Sequence, residues 1–189
     1  MWWIPVSIVV VVIVILVLFV ISVYNKLVKQ RNKVRNSWSQ IDVQLKRRFD
    51  LIPNLVETIK GYAKHEKDIL QSFADARKSY VRASEEGSIE GMAEADARLS
   101  KALNIMVNAV KEQYPELKAD KHFSEMMDTL KDTEGKIAYA RQFYNDVVLQ
   151  YNNMREVFPT VVIANMFNFK SENFFKVEGE EKENVKVSF

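Results

Sequence analysis

No charged side chain occurs in the first 24 residues, and from Trp2 to Val23 the chain reads WWIPVSIVVVVIVILVLFVISV, an apolar run of 22 residues interrupted only by Pro5, Ser7 and Ser22. At about 1.5 Å rise per residue, a helix of this length crosses a hydrocarbon layer roughly 30 Å thick. A cleavable signal peptide needs a basic start, a shorter apolar core and a small-x-small cleavage site, none of which is present. Trp2, Trp3 and Tyr24 stand at the two ends of the run, where amphipathic rings settle at headgroup level. The segment reads as a retained transmembrane anchor over residues 1–24.

All 52 charged side chains of the chain follow Tyr24. From Lys26 to Arg48 they carry a net charge of +7, and the remainder carries −5. Lys26, Lys29, Arg31, Lys33 and Arg35 form a basic collar directly behind the apolar run. This position favours anionic lipid headgroups over nucleic acid as the partner. Because Lys and Arg mark the cytoplasmic flank of a span, the N-terminus is expected outside and the bulk of the chain in the cytoplasm.

Beyond the anchor the composition is that of an all-α protein, with five Gly, four Pro and no Cys in 189 residues. That leaves little turn material for an all-β fold. It also excludes disulfides, a thiol nucleophile and a Cys-ligated metal. Apolar or aromatic residues recur at Leu27, Val34, Trp38, Ile41 and Leu45, and in the same phase at Ile52, Leu55 and Ile59. These steps of three and four mark one stripe of an amphipathic, coiled-coil-like helix. Pro53 allows two accounts, a new helix start after Asp50 or a kink in one long helix. The pattern continues through Tyr62, Ile69, Leu70, Phe73, Ala76 and Tyr80 to a stop at Glu86-Gly87-Ser88.

A further helix is expected over 89–114, with Met92, Leu99, Leu103, Met106 and Val110 on one face, and Pro115 ends it. The last long helix is expected to begin near Phe123, or after Ser124 as its N-cap, and to carry Met127, Leu130, Ile137, Tyr144, Val148, Tyr151 and Met154 before Phe158-Pro159. Short connections between long amphipathic helices predict an up-down bundle over 25–157. It would have four helices, or three if the first is one long kinked member.

Four alternating helices return the chain to the membrane-proximal end. There the segment 158–189 opens with an unusually apolar, aromatic stretch. Phe158, Val162, Ile163, Met166, Phe167, Phe169, Phe174 and Phe175 are candidate contacts with the membrane-proximal end, the bilayer or a neighbouring subunit. Ordinary core packing is the simpler account of the same residues. Val185-Lys-Val-Ser-Phe189 alternates as a short extended segment or a disordered tail would.

The sequence carries no recognisable catalytic motif. The two histidines are His65 and His122. His65-Glu66 resembles the start of a zinc-protease HExxH motif, but Ile69 occupies the second ligand position. His65 and Asp68 alone supply too few ligands for a catalytic metal. Neither His is preceded by Glu at the spacing of bundle dimetal sites, since Tyr62 and Ala119 stand there. The glycines at 61, 87, 91, 135 and 179 make no phosphate-cradling loop, and no serine lies in a G-x-S-x-G setting. No cofactor, metal, small-molecule substrate or nucleic acid is expected. Polar residues on the helical faces, Gln40, Asp42, Gln44, Arg47, Arg48, Asn54, Glu57, Arg77, Arg141, Asn145 and Asn152 among them, read mostly as solvated. Arg48 falls where the stripe between Leu45 and Ile52 calls for an apolar residue, which marks it as a candidate for a buried, register-fixing pair.

The run Trp38-Ser-Gln-Ile-Asp-Val-Gln-Leu-Lys-Arg-Arg-Phe-Asp-Leu-Ile-Pro-Asn-Leu-Val-Glu-Thr-Ile-Lys-Gly-Tyr-Ala-Lys-His-Glu66 resembles the signature of the LemA family. The likeness extends to Ala76-Arg77, Tyr114-Pro-Glu-Leu-Lys118, Ala140-Arg-Gln-Phe-Tyr-Asn145 and Phe158-Pro159 with its aromatic tail. The resemblance implies a single membrane helix with its N-terminus outside the bacterial inner membrane, followed by a cytoplasmic helical bundle. It implies no catalytic residue. Roles in membrane organisation, in stress responses beside membrane-bound metalloproteases, or in signalling are associated with the family. The expected function is therefore a non-enzymatic, self-associating membrane scaffold, with an adaptor or regulator of another membrane protein as the alternative.

Overall fold

The computed structural model describes residues 3–62 and 67–176, apart from the side chains at positions 5, 61–62 and 111–113. Trp2, His65, Glu66 and the segment Val185–Phe189 lie outside the described residues. Seven helices follow in order: α1 (Trp3–Asp50), α2 (Ile52–Tyr62), α3 (Lys67–Glu86), α4 (Ile89–Gln113), α5 (Pro115–Ala119), α6 (Lys121–Glu156) and α7 (Thr160–Met166). Among the described residues there is no strand, as expected of this composition.

The apolar run and the basic collar form one uninterrupted helix, because no helix breaker occurs between Ser7 and Asp50. The helix stops for a single residue at Leu51, whose N–H donates to the Arg48 carbonyl at 3.3 Å, and the Leu55 N–H then donates to the Leu51 carbonyl at 3.1 Å. Pro53 takes the second position of α2. There the N–H it lacks has no helical acceptor to lose.

Helix ends follow local chemistry. Gly87 adopts φ +64°, with the Ser88 N–H on the Ala83 carbonyl and the Gly87 N–H on the Ser84 carbonyl. This is the left-handed C-terminal turn that glycine favours. Ser88 caps α4, its Oγ accepting from the Gly91 N–H at 3.0 Å. Pro115 opens α5, as its missing N–H permits. The start of α6 differs from the sequence expectation: the helix begins at Lys121, and Asp120 is its cap, with Oδ1 accepting from the Phe123 N–H at 2.8 Å. Ser124 lies inside the helix, its N–H already on the Asp120 carbonyl at 3.0 Å, because the cap is made one turn earlier by Asp120.

The chain forms two compact units. The first holds the described residues of Met1–Ser39 and Gln142–Phe174. Within it α1 and α6 run antiparallel, Gln30 meeting Gln150 at 3.4 Å and Trp38 meeting Tyr144 edge to face at 5.8 Å. Leu27, Gln30, Val34 and Ser37 are buried on α1, and Tyr144, Val147, Val148 and Tyr151 on α6. These steps of three and four are those of left-handed helix pairs. Buried Ser37 returns its hydroxyl to the Val34 carbonyl at 2.8 Å, which leaves no donor unpaired.

The second unit holds the described residues of Gln40–Arg141 and Phe175–Phe189. A two-residue link at Gly87-Ser88 makes α3 and α4 a helical hairpin, and Arg98 on α4 donates to Ser79 on α3 at 3.0 Å. Phe73, Ala76, Tyr80 and Ala83 are buried on α3, and Met92, Ala95, Leu99, Leu103 and Met106 on α4. Ile41, Leu45, Phe49, Ile52, Leu55 and Ile59 continue the α1 and α2 stripe into this core. Phe49 stacks on Tyr80 at 4.2 Å with planes 9° apart.

Candidate functional site

In the first unit the anchor, the collar and the aromatic tail meet. The described large apolar residues of α1 from Trp3 to Ile21, Phe19 among them, stand exposed, Val20 alone being half-buried. Among the described residues α1 is the one helix long and apolar enough to cross a membrane. An apolar surface this extensive is incompatible with a helix bathed in water on all sides. Lys26, Lys29, Lys33 and Arg35 are exposed just beyond it, while Leu27, Gln30 and Val34 turn inward. Arg31 departs from the rest of the collar: it is half-buried, with its guanidinium over the ring of Phe169 at 5.1 Å.

Phe169 belongs to a strap that folds back along α6. After α7 the chain turns through Asn168 at φ +55°, with the Phe169 N–H on the Ala164 carbonyl at 2.9 Å. Asn shares with glycine a tolerance for this left-handed position. The strap is then held by side chains of α6. The Tyr151 hydroxyl donates to the Lys170 carbonyl at 2.8 Å, and the Tyr144 hydroxyl to the Asn173 carbonyl at 2.8 Å. Asn152 holds Glu172 by both amide atoms, Nδ2 donating to the backbone carbonyl and Oδ1 accepting from the backbone N–H, each at 3.0 Å. This pairing satisfies a strand-like backbone without a neighbouring strand. Burial pushes the Tyr151 phenol above its ordinary pKa, helped by the negative Glu172 and opposed by Arg31, Arg155 and Arg35.

The aromatic tail divides by environment. Ile163, Ala164 and Phe169 are buried, and Tyr24 packs edge-on against Phe167 at 4.8 Å and Phe169 at 5.6 Å. Phe158, Val162, Met166 and Phe167 are exposed, and Phe174 is half-buried. Phe175 is buried in the second unit beneath the Arg141 guanidinium, which lies 5.1 Å from its ring centre. Core packing thus accounts for one half of the segment and leaves the other half open.

The second unit contains the buried pair foreseen at Arg48. Its Nη1 donates to Asp96 Oδ1 at 2.5 Å, and the more exposed Glu134 lies 3.9 Å from Nη2. Burial pushes the Asp96 carboxyl above its ordinary pKa, against the lowering effect of Arg48 and Arg141. Asp96 escaped the sequence reading although the same signal marked it: it sits between Met92 and Leu99, where the α4 stripe calls for an apolar side chain. The sequence pattern places Tyr151 in the apolar stripe and Asn152 among the mostly solvated polar positions. Their partners are backbone atoms, which leave no trace in residue type.

Open clefts lie among the described residues of the second unit. One, of about 600 Å³, is polar and lined by Asp96, Ser100, Lys101, Asn104, Asn108, Glu134 and Arg141. Another, of about 970 Å³, follows α2 and α3, with Ile52, Val56, Leu70, Phe73 and Val81 among its apolar lining and Lys60, Lys67, Arg77, Lys78 and Arg82 among its cations. Among the described residues no group of three His, Cys, Asp or Glu is placed to hold a metal ion.

Residues 37–189 match the sequence model of the LemA family. The magnetosome protein MamQ of Magnetospirillum gryphiswaldense is 27% identical over 175 residues, covering 80% of this chain and 64% of that protein. Magnetosome protein MamQ 2 of Paramagnetospirillum magneticum is 27% identical over 176 residues, again covering 64% of its length. The protein LemA of Metamycoplasma hominis is 24% identical over 166 residues, covering 87% of this chain and 74% of that protein. The chain therefore spans just under two thirds of the length of the MamQ relatives it matches.

Proposed function

This chain belongs to the LemA family, and from that premise we propose that it is a non-enzymatic helical scaffold of the bacterial inner membrane. In this reading it self-associates to organise or remodel the bilayer. The observation that carries the proposal is α1 itself, a single helix that begins as an exposed apolar rod and continues, without a break, into a buried heptad-like stripe. Such a helix carries the apolar run, the collar and the first turns of the buried stripe on one rod. The soluble helices form an antiparallel up-down bundle in this proposal. Lys26, Lys29, Lys33 and Arg35 meet anionic headgroups on the cytoplasmic side, with the N-terminus outside.

The experiment is the mass and shape of the full-length protein in nanodiscs or mild detergent, by light scattering and electron microscopy. A defined higher assembly that also alters vesicle shape is the expected result. A monomer that leaves vesicles unchanged would remove the scaffold reading. Orientation is tested separately with a cysteine appended ahead of Met1, outside the apolar run of the otherwise Cys-free chain. An impermeant maleimide should label it from outside intact cells.

The groove along α2 and α3 favours the second reading, an adaptor for another membrane protein. Its apolar lining and five cations, which outnumber the carboxylates Glu57 and Glu85, suit an acidic amphipathic segment. Site-specific photocrosslinking from Val56 or Val81 in cells should then recover a heterologous partner, and recovery of self-adducts alone would return the groove to the scaffold.

A further inference from the structure

We infer that the exposed edge formed by Phe158 and, on α7, by Val162 and Met166 lies in the headgroup–acyl boundary of the leaflet from which α1 emerges, as a second lipid contact beside the anchor. The inference rests on the reading of α1 as a membrane span. Its first support is position. Val157, Pro159 and Thr160 line a small cleft of about 330 Å³ together with Phe19 and Val23, from the last turns of the apolar run, and Lys26, the first residue of the collar. Phe167 touches Tyr24, the aromatic residue at the end of that run. A bilayer crossed by α1 therefore already has its boundary at the level of α7.

The second support is chemistry. From Val157 to Phe169 no charged side chain occurs, whereas Arg155 and Glu156 precede the stretch and Lys170 follows it. Ile163 and Ala164 face inward, yet the outward face carries Val162 at 58% and Met166 at 62% exposure, with Phe158 at 82%. A short helix facing water has no reason to spend its outer face on these residues, and an interfacial one does. The third support is rigidity: Arg31 over Phe169 and Tyr151 on Lys170 pin the chain after α7, so the exposed edge cannot simply roll inward.

A second copy of the chain is a poorer occupant. These side chains offer on the order of 300–400 Å², against the roughly 800 Å² per partner of a stable interface. The lipid contact also has a structural consequence. Two attachment points fix the rotation of α1 about its own axis and hence the side of the helix on which the collar meets the headgroups.

The absence of Cys from the sequence allows single-cysteine variants of the full chain. Nitroxides at Val162→Cys and Met166→Cys, in vesicles of phosphatidylcholine and phosphatidylglycerol, are compared with Val12→Cys in the apolar run and Tyr139→Cys on the exposed face of α6. Collision with oxygen relative to a water-soluble nickel chelate reports lipid. The ratio at 162 and 166 is expected several times that at 139 and shifted toward that at 12. Equal ratios at 162, 166 and 139, with position 12 in lipid, would overturn the inference and leave the anchor standing. Water-like ratios at position 12 as well would overturn both. Shielding from both reagents with spin–spin broadening would assign the edge to a second copy, and the inference would fail.

Discussion

Arg48 and Asp96 hold each other in the second unit at 2.5 Å, with side chains 1% and 7% exposed. Neither charge retains much contact with water, so each depends on the other for solvation. Asp96→Asn leaves the guanidinium buried with only the distant Glu134 to balance it, and is expected to cost about 3–5 kcal/mol. Arg48→Met combined with Asp96→Leu removes both charges and should recover most of that loss. Urea unfolding of the two variants beside the parent protein measures the difference. A double variant as unstable as Asp96→Asn would mean that packing, not charge, sets the cost.

Asn152 and Glu172 make the second discriminating pair. Asn152→Ala removes two hydrogen bonds and is expected to destabilise the strap by about 1–2 kcal/mol. The readout is amide hydrogen exchange at Glu172, whose N–H donates to the lost oxygen. Exchange there should accelerate while the core of α6 stays protected. Asn152→Asp keeps the acceptor but not the donor, and should give an intermediate effect.

The α3–α4 hairpin is close-packed where Gly91 faces Ala83. A Cβ at position 91 would stand 2.9 Å from the Ala83 Cβ and 3.1 Å from the Ser88 Oγ. Gly91→Ala is expected to lose about 1–3 kcal/mol despite its better helix propensity, because two rigid helices must separate. Ala83→Gly in the same chain relieves the clash. Thermal unfolding of the full cycle should show a favourable coupling between the two substitutions.

Tyr80 supplies a pH dependence. Its phenol is pushed up to about 12, chiefly by burial, with Asp42 and Asp50 adding repulsion to the ionised form. An unfolded tyrosine ionises near pH 10. Between roughly pH 10 and 12 the folded chain therefore holds a proton that the unfolded chain has lost, and stability falls as pH rises. The contribution is complete below pH 10. Tyr80→Phe should flatten this part of the alkaline denaturation curve, followed by circular dichroism.

How much could be read beforehand follows from what kind of contact is at stake. Burial against an undirected apolar partner leaves a periodic mark, so the stripe from Leu27 to Ile59 and the stop at Gly87 were legible. Arg48 was legible as an intruder in that stripe. Asp96 lies 48 residues away, and nothing in the spacing of either helix links the two. The cap at Asp120 was missed because Ser124 offers the same chemistry one turn later, and only the geometry of the preceding α5 decides between them.

By itself the sequence determined an apolar helix long enough to cross a bilayer, a basic collar behind it, and a helical remainder without cysteine. These are properties of composition and period, which local physics reads directly. Only the tertiary structure decided that Arg48 pairs with Asp96, that Arg31 leaves the collar for Phe169, and that the aromatic tail divides into a buried half and an open edge. The reason is that hydrogen bonds to backbone atoms, and the choice of which apolar face meets which, depend on distances between segments far apart in the chain. Periodicity records that a face is covered; it does not record by what.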